Sequence, residues 1–379
     1  LNAAERNAGL PLSGTVEPGA TIRITVPETG WTTTIPGSQT QSGTWRLVLP
    51  PEALPQGAAT TANITAVATD AQGNTSAPQT HSINIDTMVS NFTPADIRLS
   101  MGTDSTLNAR EHALGLPVSG RAEAGSTVSV TMNGFTRTVV VGQDGNWSVT
   151  FTPDQIPIGE RSGIPVSVTA TDPAGNVSGP LTSSFSVDTV APTMPLVLRT
   201  EDYGGGYSAI TTNNTNDTYR FHRVDATGAP MAVLADETLT SRGEDRFDFR
   251  SDIPDGSYLV INTSDAAGNQ SNTLFIKNTS TGVAVDLTRE GLQGFDFSAI
   301  DLTRAPDARL TITARQLESL VGPDNQLVIR GEHTDHVTLQ NVTSQRENVL
   351  INGQLYDIFT LGTNGAQVLL EDDVSRTVI

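Results

Sequence analysis

The chain has 379 residues and a formal net charge of −19, with 22 Lys and Arg against 41 Asp and Glu, which excludes a surface built to neutralise nucleic-acid phosphates. Glycine and proline number 34 and 21, charged residues make only 17% and aromatics 5%, the composition of short strands joined by many turns and not of packed helices. Cysteine is absent, which removes disulfides, thiolate nucleophiles and Cys-zinc sites together, and the one lysine, Lys277, argues against Schiff bases and Lys-Asn crosslinks.

In chain order, residues 1–26, "LNAAERNAGLPLSGTVEPGATIRITV", align with 107–132, "LNAREHALGLPVSGRAEAGSTVSVTM". "TWRLVLPPEALPQG" (44–57) aligns with "NWSVTFTPDQIPIG" (146–159), and "ITAVATDAQGNTSAP" (64–78) with "VSVTATDPAGNVSGP" (166–180). These are tandem copies with a period of about one hundred residues. A divergent third copy, lacking the Trp, is marked by the connector "DTVAPTMPLVL" (188–198) and by "NTSDAAGNQSN" (262–272). The second copy reads as seven strands near 96–101, 116–121, 127–132, 136–141, 147–151, 166–171 and 182–187, with Val128, Val130, Met132, Trp147, Val149, Phe151, Val166, Val168 and Ala170 facing inward. Asn133-Gly134 and Asp144-Gly145 are hairpin dipeptides, and turn signals recur as in an antiparallel sandwich. The first copy lacks the counterpart of residues 95–106, so its first strand is expected to be missing, and the start at Leu1, with neither signal peptide nor initiator Met, reads as that of a fragment.

From about residue 283 the pattern changes. "LTITARQLESLV" (310–321) is expected to hold one short helix, while 325–331, 336–342, 348–361 and 366–372 read as strands, with Asn352-Gly353 as a tight hairpin. The expected fold is all-β: immunoglobulin-like β-sandwiches at 1–88, 89–190 and 191–280, followed by a separate mostly-β domain at 281–379. No apolar run approaches the ~20 residues of a membrane span.

Strand reversal turns the repeat into a geometric expectation. The loops after the second, fourth and sixth strands of the second copy share one end, and they carry Glu123 in "AEAGS", Asp144 in "GQDGN", and Asp172 with Asn176 in "TDPAGN". Asp86 arrives there from the linker. Asp86, Glu123 and Asp172 are therefore expected to meet at the junction of the first two copies, where their repulsion calls for a hard cation. Calcium takes about six to eight oxygen ligands and suits a cluster without sulfur or imidazole. By the same construction Asp188, Asp225 and Asp265 are expected to form a second site, Glu17 and Asp70 two thirds of another, and Asn278 replaces the linker Asp at the last junction. The competing reading is that each Asp merely closes an Asx-turn, for which Asp-x-x-Gly-Asn is suited.

The combination of "SGRAEAG", "DGNWSV", "TATDPAGN" and "VDTVAPTMP" resembles the tandem bacterial Ig-like repeats of large type I-secreted adhesins and biofilm-associated proteins, closely over 1–190 and loosely over 191–280. Residues 283–379 resemble a β-rich module of the same secreted proteins. The resemblance implies an extracellular rod on the bacterial surface, stiffened by calcium through Glu17, Asp70, Asp86, Glu123, Asp172 and Asp188. The implied partners are cell-surface or matrix components and neighbouring repeats of the same or identical chains. The departures at Asn278 and in the Trp-less third copy set the last junction apart.

Catalysis has no support: there is no nucleophile elbow, phosphate loop or acid-base pair, so the chain is expected not to be an enzyme. His333, Asp335 and His336 lack a third close zinc ligand and read as a polar turn, and Trp45 and Trp147, in matched positions, read as core. Two alternatives stand beside the rod: a subunit of a surface layer, sheath or filament assembled by strand donation, and a carbohydrate- or ligand-binding accessory module.

Overall fold

Val128, Val130 and Met132 alternate with Thr127, Ser129 and Thr131, and the three apolar side chains are buried. That period of two builds each sandwich. The computed structural model describes residues 1–94, 97–102, 104–322, 324–351 and 353–379, in two units, Leu1–Asp188 and Thr189–Ile379.

The first unit holds two sandwiches. In the first copy, β1 (Leu10–Thr15) pairs with β4 (Thr44–Leu49), facing a sheet of order β3-β2-β5-β6 made from β2 (Thr21–Val26), β3 (Trp31–Ile35), β5 (Thr60–Thr69) and β6 (Gln79–Ile85). The second copy has β7 (Arg98–Leu99), β8 (Thr106–Asn108), β9 (Leu116–Arg121), β10 (Thr127–Met132), β11 (Phe135–Val140), β12 (Asn146–Phe151), β13 (Glu160–Thr171) and β14 (Val177–Asp188). They form sheets of order β11-β10-β13-β14-β8 and β12-β9-β7. The expected first strand of this copy is reduced to β7, and Asp96 lies outside the described residues.

Two short helices were not anticipated. α1 (Ala3–Ala8) and α2 (Ala109–Leu114) each open on a capping box, in which Asn2 and Asn108 accept from the backbone of Glu5 and Glu111 and those carboxylates bond back. The signal, Asn-x-x-Glu, stands in both copies. Arg6 then donates to the carbonyls of Leu54 and Pro55, and His112 at the matched position contacts the carbonyl of Ile156. Trp147 is 4% exposed and belongs to the second core, while Trp45 and Trp31 pack against the first.

In the second unit, the third copy is a sandwich of β15 (Val197–Tyr203), β16 (Gly206–Asn213), β19 (Ala235–Leu239) and β20 (Glu244–Pro254) on one side. The other side has β17 (Thr218–Val224), β18 (Met231–Val233), β21 (Tyr258–Ser264) and β22 (Gln270–Lys277). Aromatic packing takes the place of the missing Trp: Phe221 lies 5.0 Å from Phe247, and Tyr207 meets Phe275 edge-on at 6.2 Å.

The boundary expected near residue 281 does not interrupt the sheet. β22 pairs in parallel with β24 (Phe297–Arg304), and the sheet runs on through β26 (Gln326–Arg330), β30 (Ala366–Glu371), β29 (Gln354–Leu361) and β28 (Val342–Ile351). A second sheet, parallel throughout, contains β23 (Ala284–Val285), β25 (Arg309–Thr313), β27 (His336–Gln340) and β31 (Ser375–Val378). The chain passes from one sheet to the other at each turn, a short two-sheet solenoid with Leu274, Ile300, Leu302, Leu310, Ile329, Val337 and Leu370 between the layers. α3 (Ala314–Leu320) is the expected short helix, capped by Thr313. In the β28–β29 hairpin Ile351 pairs with Gln354 and Gly353 has φ +86°, while Asn352 lies outside the described residues.

Burial holds the carboxyls of Asp301, Asp335 and Glu371 in this unit above their ordinary values. A folded-state pKa above the unfolded one means that the native state takes up the proton first as pH falls. Stability should therefore rise from pH 7 into the carboxylate range and level off below about pH 4. Exposed Asp236 and half-buried Glu244, lowered by Arg250 and Arg199, oppose this under solvent screening, and His222, held below its ordinary value by burial, opposes it between pH 7 and 5 as one group against three. All five tyrosines lie in this unit and all three tryptophans in the other. Urea titrations followed by tyrosine absorbance should thus show a higher midpoint near pH 5 than at pH 7, and an unchanged or lower midpoint would refute the burial effect.

Candidate metal centre

Three elements bring three carboxylates to one end of the second sandwich. Asp172 follows β13, where a five-residue loop closes on itself: the Asp172 N–H donates to the Asn176 carbonyl and the Gly175 N–H to the Asp172 carbonyl. Gly175 has φ +92°, a left-handed conformation that glycine adopts without strain. The Asp172 side chain accepts from the Asn176 backbone at 2.8 Å and from its Nδ2 at 2.6 Å. Glu123 stands in the β9–β10 loop, its Oε2 accepting from the N–H and hydroxyl of Ser90, both at 3.2 Å. Asp86 follows β6, with its N–H donated to the Leu1 carbonyl and its own carbonyl accepting from Asn176 Nδ2 at 2.9 Å.

One carboxylate oxygen from each of Asp86, Glu123 and Asp172 lies within 4.8 Å of the other two, and Asp172 is 5% exposed. Among the described residues this is the one such group of three. None of the three is paired with Lys or Arg in a described ion pair. Like charges at this separation repel by on the order of 3 kcal/mol per pair at an effective dielectric of about 20, less the screening that reaches partly exposed Asp86 and Glu123. An all-oxygen donor set with that repulsion fits a hard divalent cation and disfavours a thiophilic metal.

The other expected positions fare differently. Glu17 and Asp70 share one end of the first copy, since Thr21 pairs with Thr69, but no third carboxylate joins them among the described residues. Asp225 and Asp265 do not converge, which corrects the expectation for that pair. β17 and β21 are antiparallel with Val224 opposite Tyr258 and Thr218 opposite Ser264, so Asp225 and Asp265 sit at opposite ends of a paired ladder roughly 20 Å long. The physical reason is that β17 pairs with β21 as β10 pairs with β13, so β17 is the counterpart of β10, and Asp225 follows that strand where Glu123 precedes it. Asp225 is instead neutralised by Arg223 at 3.1 Å and bonded by Ser257 at 2.8 Å. Asp188 ends β14, opposite Glu160.

The Asx-turn reading also holds, at the same residues. Asp70 accepts from the backbone and Nδ2 of Asn74, and Asp265 likewise from Asn269. Asp144 does so from Asn146, whose amides keep its carboxyl below the usual carboxylate range. Asp335 caps the N–H groups of Ala308 and Glu332, and His336 bonds Thr377, so "EHTDH" is a solenoid corner. Ser90 and the residues of α1 were missed as neighbours of the site; the recurrence of Asn74, Asn176 and Asn269 was the available signal.

Residues 105–186 match the family model described as the bacterial Ig domain. The second copy belongs to the bacterial Ig-domain family. A bacterial immunoglobulin-like domain from the M. primoryensis ice-binding adhesin is 30% identical to this bacterial Ig protein, over 24% of this chain and 96% of its own, with a TM-score of 0.20. A 1.5-MDa bacterial ice-binding adhesin, in a structure concerned with host cell surface retention, is 24% identical over 72% of this chain and 90% of its own, with a TM-score of 0.39. A Ca2+-stabilized adhesin that helps an Antarctic bacterium reach out and bind ice is 21% identical over 96% and 86%, with a TM-score of 0.35. No curated protein matches the bacterial Ig chain. None of its described helices is long and apolar enough to cross a membrane.

Proposed function

We propose that the chain is a segment of an extracellular adhesive rod on a bacterial surface, whose first inter-copy junction is stiffened by calcium. The observation that carries this reading is the convergence of Asp86, Glu123 and Asp172 from a linker and two loops. The linker carboxylate makes the difference, because a cation bound by all three ties the residue following one sandwich to the loops of the next. Asp86 and Asp172 supply carboxylate oxygens that Asn176 already orients, and Glu123 leaves Oε1 beside the Ser90-bonded Oε2. When bound, calcium supplies positive charge and no reaction step. Its binding favours the aligned junction by a free energy that grows as the logarithm of its concentration over the dissociation constant.

Small-angle scattering of the full chain tests this. In millimolar calcium the pair-distance distribution should be longer and better defined than in chelator, and superimposable profiles in the two conditions would remove the mechanism.

A further inference from the structure

We infer that Asn176 is a positioning residue, a latch that holds the junction of the first two copies by direct hydrogen bonds and sets the carboxylates before any cation arrives. This deepens the calcium reading and rests on the same view of the copies as a rod. The Asn176 side chain is 5% exposed, and its amide faces three segments at once. Oδ1 accepts the backbone N–H of Ala3 at 2.7 Å, and Nδ2 donates to the Asp86 carbonyl at 2.9 Å and to Asp172 Oδ2 at 2.6 Å. Reversing the amide would turn Oδ1 toward two acceptors and Nδ2 toward a donor, so the partners fix its orientation. Beside it, Asn2 Nδ2 donates to the Ala174 carbonyl at 3.1 Å.

The first turn of α1 in copy one is thus bonded to the Asp-x-x-Gly-Asn loop of copy two, and the linker residue Asp86 is drawn into the same contact. Ala3 is the first residue of α1, and its N–H has no acceptor within that helix. Asn176 fills that need from the neighbouring sandwich. A lone Asx-turn would require only the contacts between Asp172 and Asn176. The bonds to Ala3 and Asp86 cross 173 and 90 residues of chain and do nothing for the turn.

Ala3→Pro isolates the latch. Proline suits the first helical position, and Asn2 before it is already extended at φ −87° and ψ −180°, as a residue preceding proline prefers. The substitution removes one N–H, places Cδ where the hydrogen bond runs and alters no carboxylate. The chain lacks cysteine, so spin labels at Gln79→Cys and Thr150→Cys, both exposed, report the distance between copies in the full chain.

In chelator the wild type should give one narrow distance distribution. Ala3→Pro should raise the population of displaced distances roughly tenfold, the effect of losing one hydrogen bond to a buried polar group. Ala3→Ser, which keeps the N–H, should restore the narrow distribution, and Trp-detected unfolding of Ala3→Pro should stay cooperative. A distribution for Ala3→Pro in chelator identical to wild type overturns the inference. If Ala3→Pro fails to fold, Asn2→Ser, which keeps the cap and removes the donor to Ala174, decides on the same readout. Broadening by Ala3→Pro together with no effect of calcium on the wild type would sustain the latch and discard the calcium reading; the reverse pattern would do the opposite.

Discussion

Glu123→Gln should stabilise the first unit in chelator and shrink the further stabilisation that calcium gives the wild type. Glutamine keeps an oxygen for the Ser90 N–H and hydroxyl, so the loop retains its anchor. The new Nε2 replaces an oxygen that stands within 4.8 Å of carboxylate oxygens of Asp86 and Asp172, turning repulsion into donation. In the absence of cation the gain should be about 1–3 kcal/mol, the range for hydrogen bonds to charged groups. With calcium at about a hundred times the wild-type dissociation constant, bound metal contributes about 2.7 kcal/mol. Losing one of three charged ligands should weaken affinity by one to two orders of magnitude, roughly as far as disturbing the support of metal ligands does. Half or more of the calcium-dependent rise in the Trp-detected melting temperature then disappears. Calorimetric titration and thermal melts in both conditions check this, and destabilisation in chelator would show that the three carboxylates do not repel one another.

Arg330→Ala should cost the second unit about 3–5 kcal/mol, the penalty for leaving buried charge uncompensated. Arg330 is 8% exposed and lies opposite Asp301 in register, on the face where Ala299, Val328, Ile358 and Leu369 are buried. Its charge draws the carboxyls of both Asp301 and Glu371 down against the burial that raises them. It also donates to the Pro195 carbonyl at 3.0 Å, while Met194 packs on the same apolar face. Removing the guanidinium leaves Asp301, 1% exposed, with Thr303 as its one hydrogen-bonding side chain among the described residues and Arg304 as the remaining nearby charge, and frees the connector residues. The tyrosine-detected urea midpoint should fall well below wild type while the tryptophan-detected transition stays in place. At pH 5 part of the loss should be recovered, because protonated Asp301 no longer needs the cation. A loss under about 1 kcal/mol would mean that water reaches the face and screens the carboxylates.

How much was legible varied with how local the cause was. The strands of the second copy, with Val128, Trp147 and Val166 inward, follow from alternation, which a strand's own residues express. The convergence of Asp86, Glu123 and Asp172 was legible because strand reversal assigns loops to ends once the strand count is right. The same construction failed for Asp225 and Asp265, because Asp225 follows β17, the counterpart of β10, whereas Glu123 precedes β10. The solenoid was illegible for a different reason. Its strands are short and apolar, and "AIDLTRAPDARLTI", "LVIRGEHTDHVTL" and "VLLEDDVSRTVI" each read equally well as hairpin arms. Only their parallel pairing across roughly 30 to 40 residues of chain makes them rungs.

The sequence by itself determined the tandem copies, their alternating strands, the Asx loops at Asp70, Asp172 and Asp265, and the acidic character of the first junction, because each rests on residues within a few positions of one another or on a repeat. The tertiary structure alone decided that Asn176 bonds Ala3, that Arg330 holds Pro195, and that β22 serves both the third sandwich and the solenoid. Each of those is a pairing between groups far apart in the chain, and a hydrogen bond or a sheet edge carries no mark in the sequence of which distant partner will satisfy it.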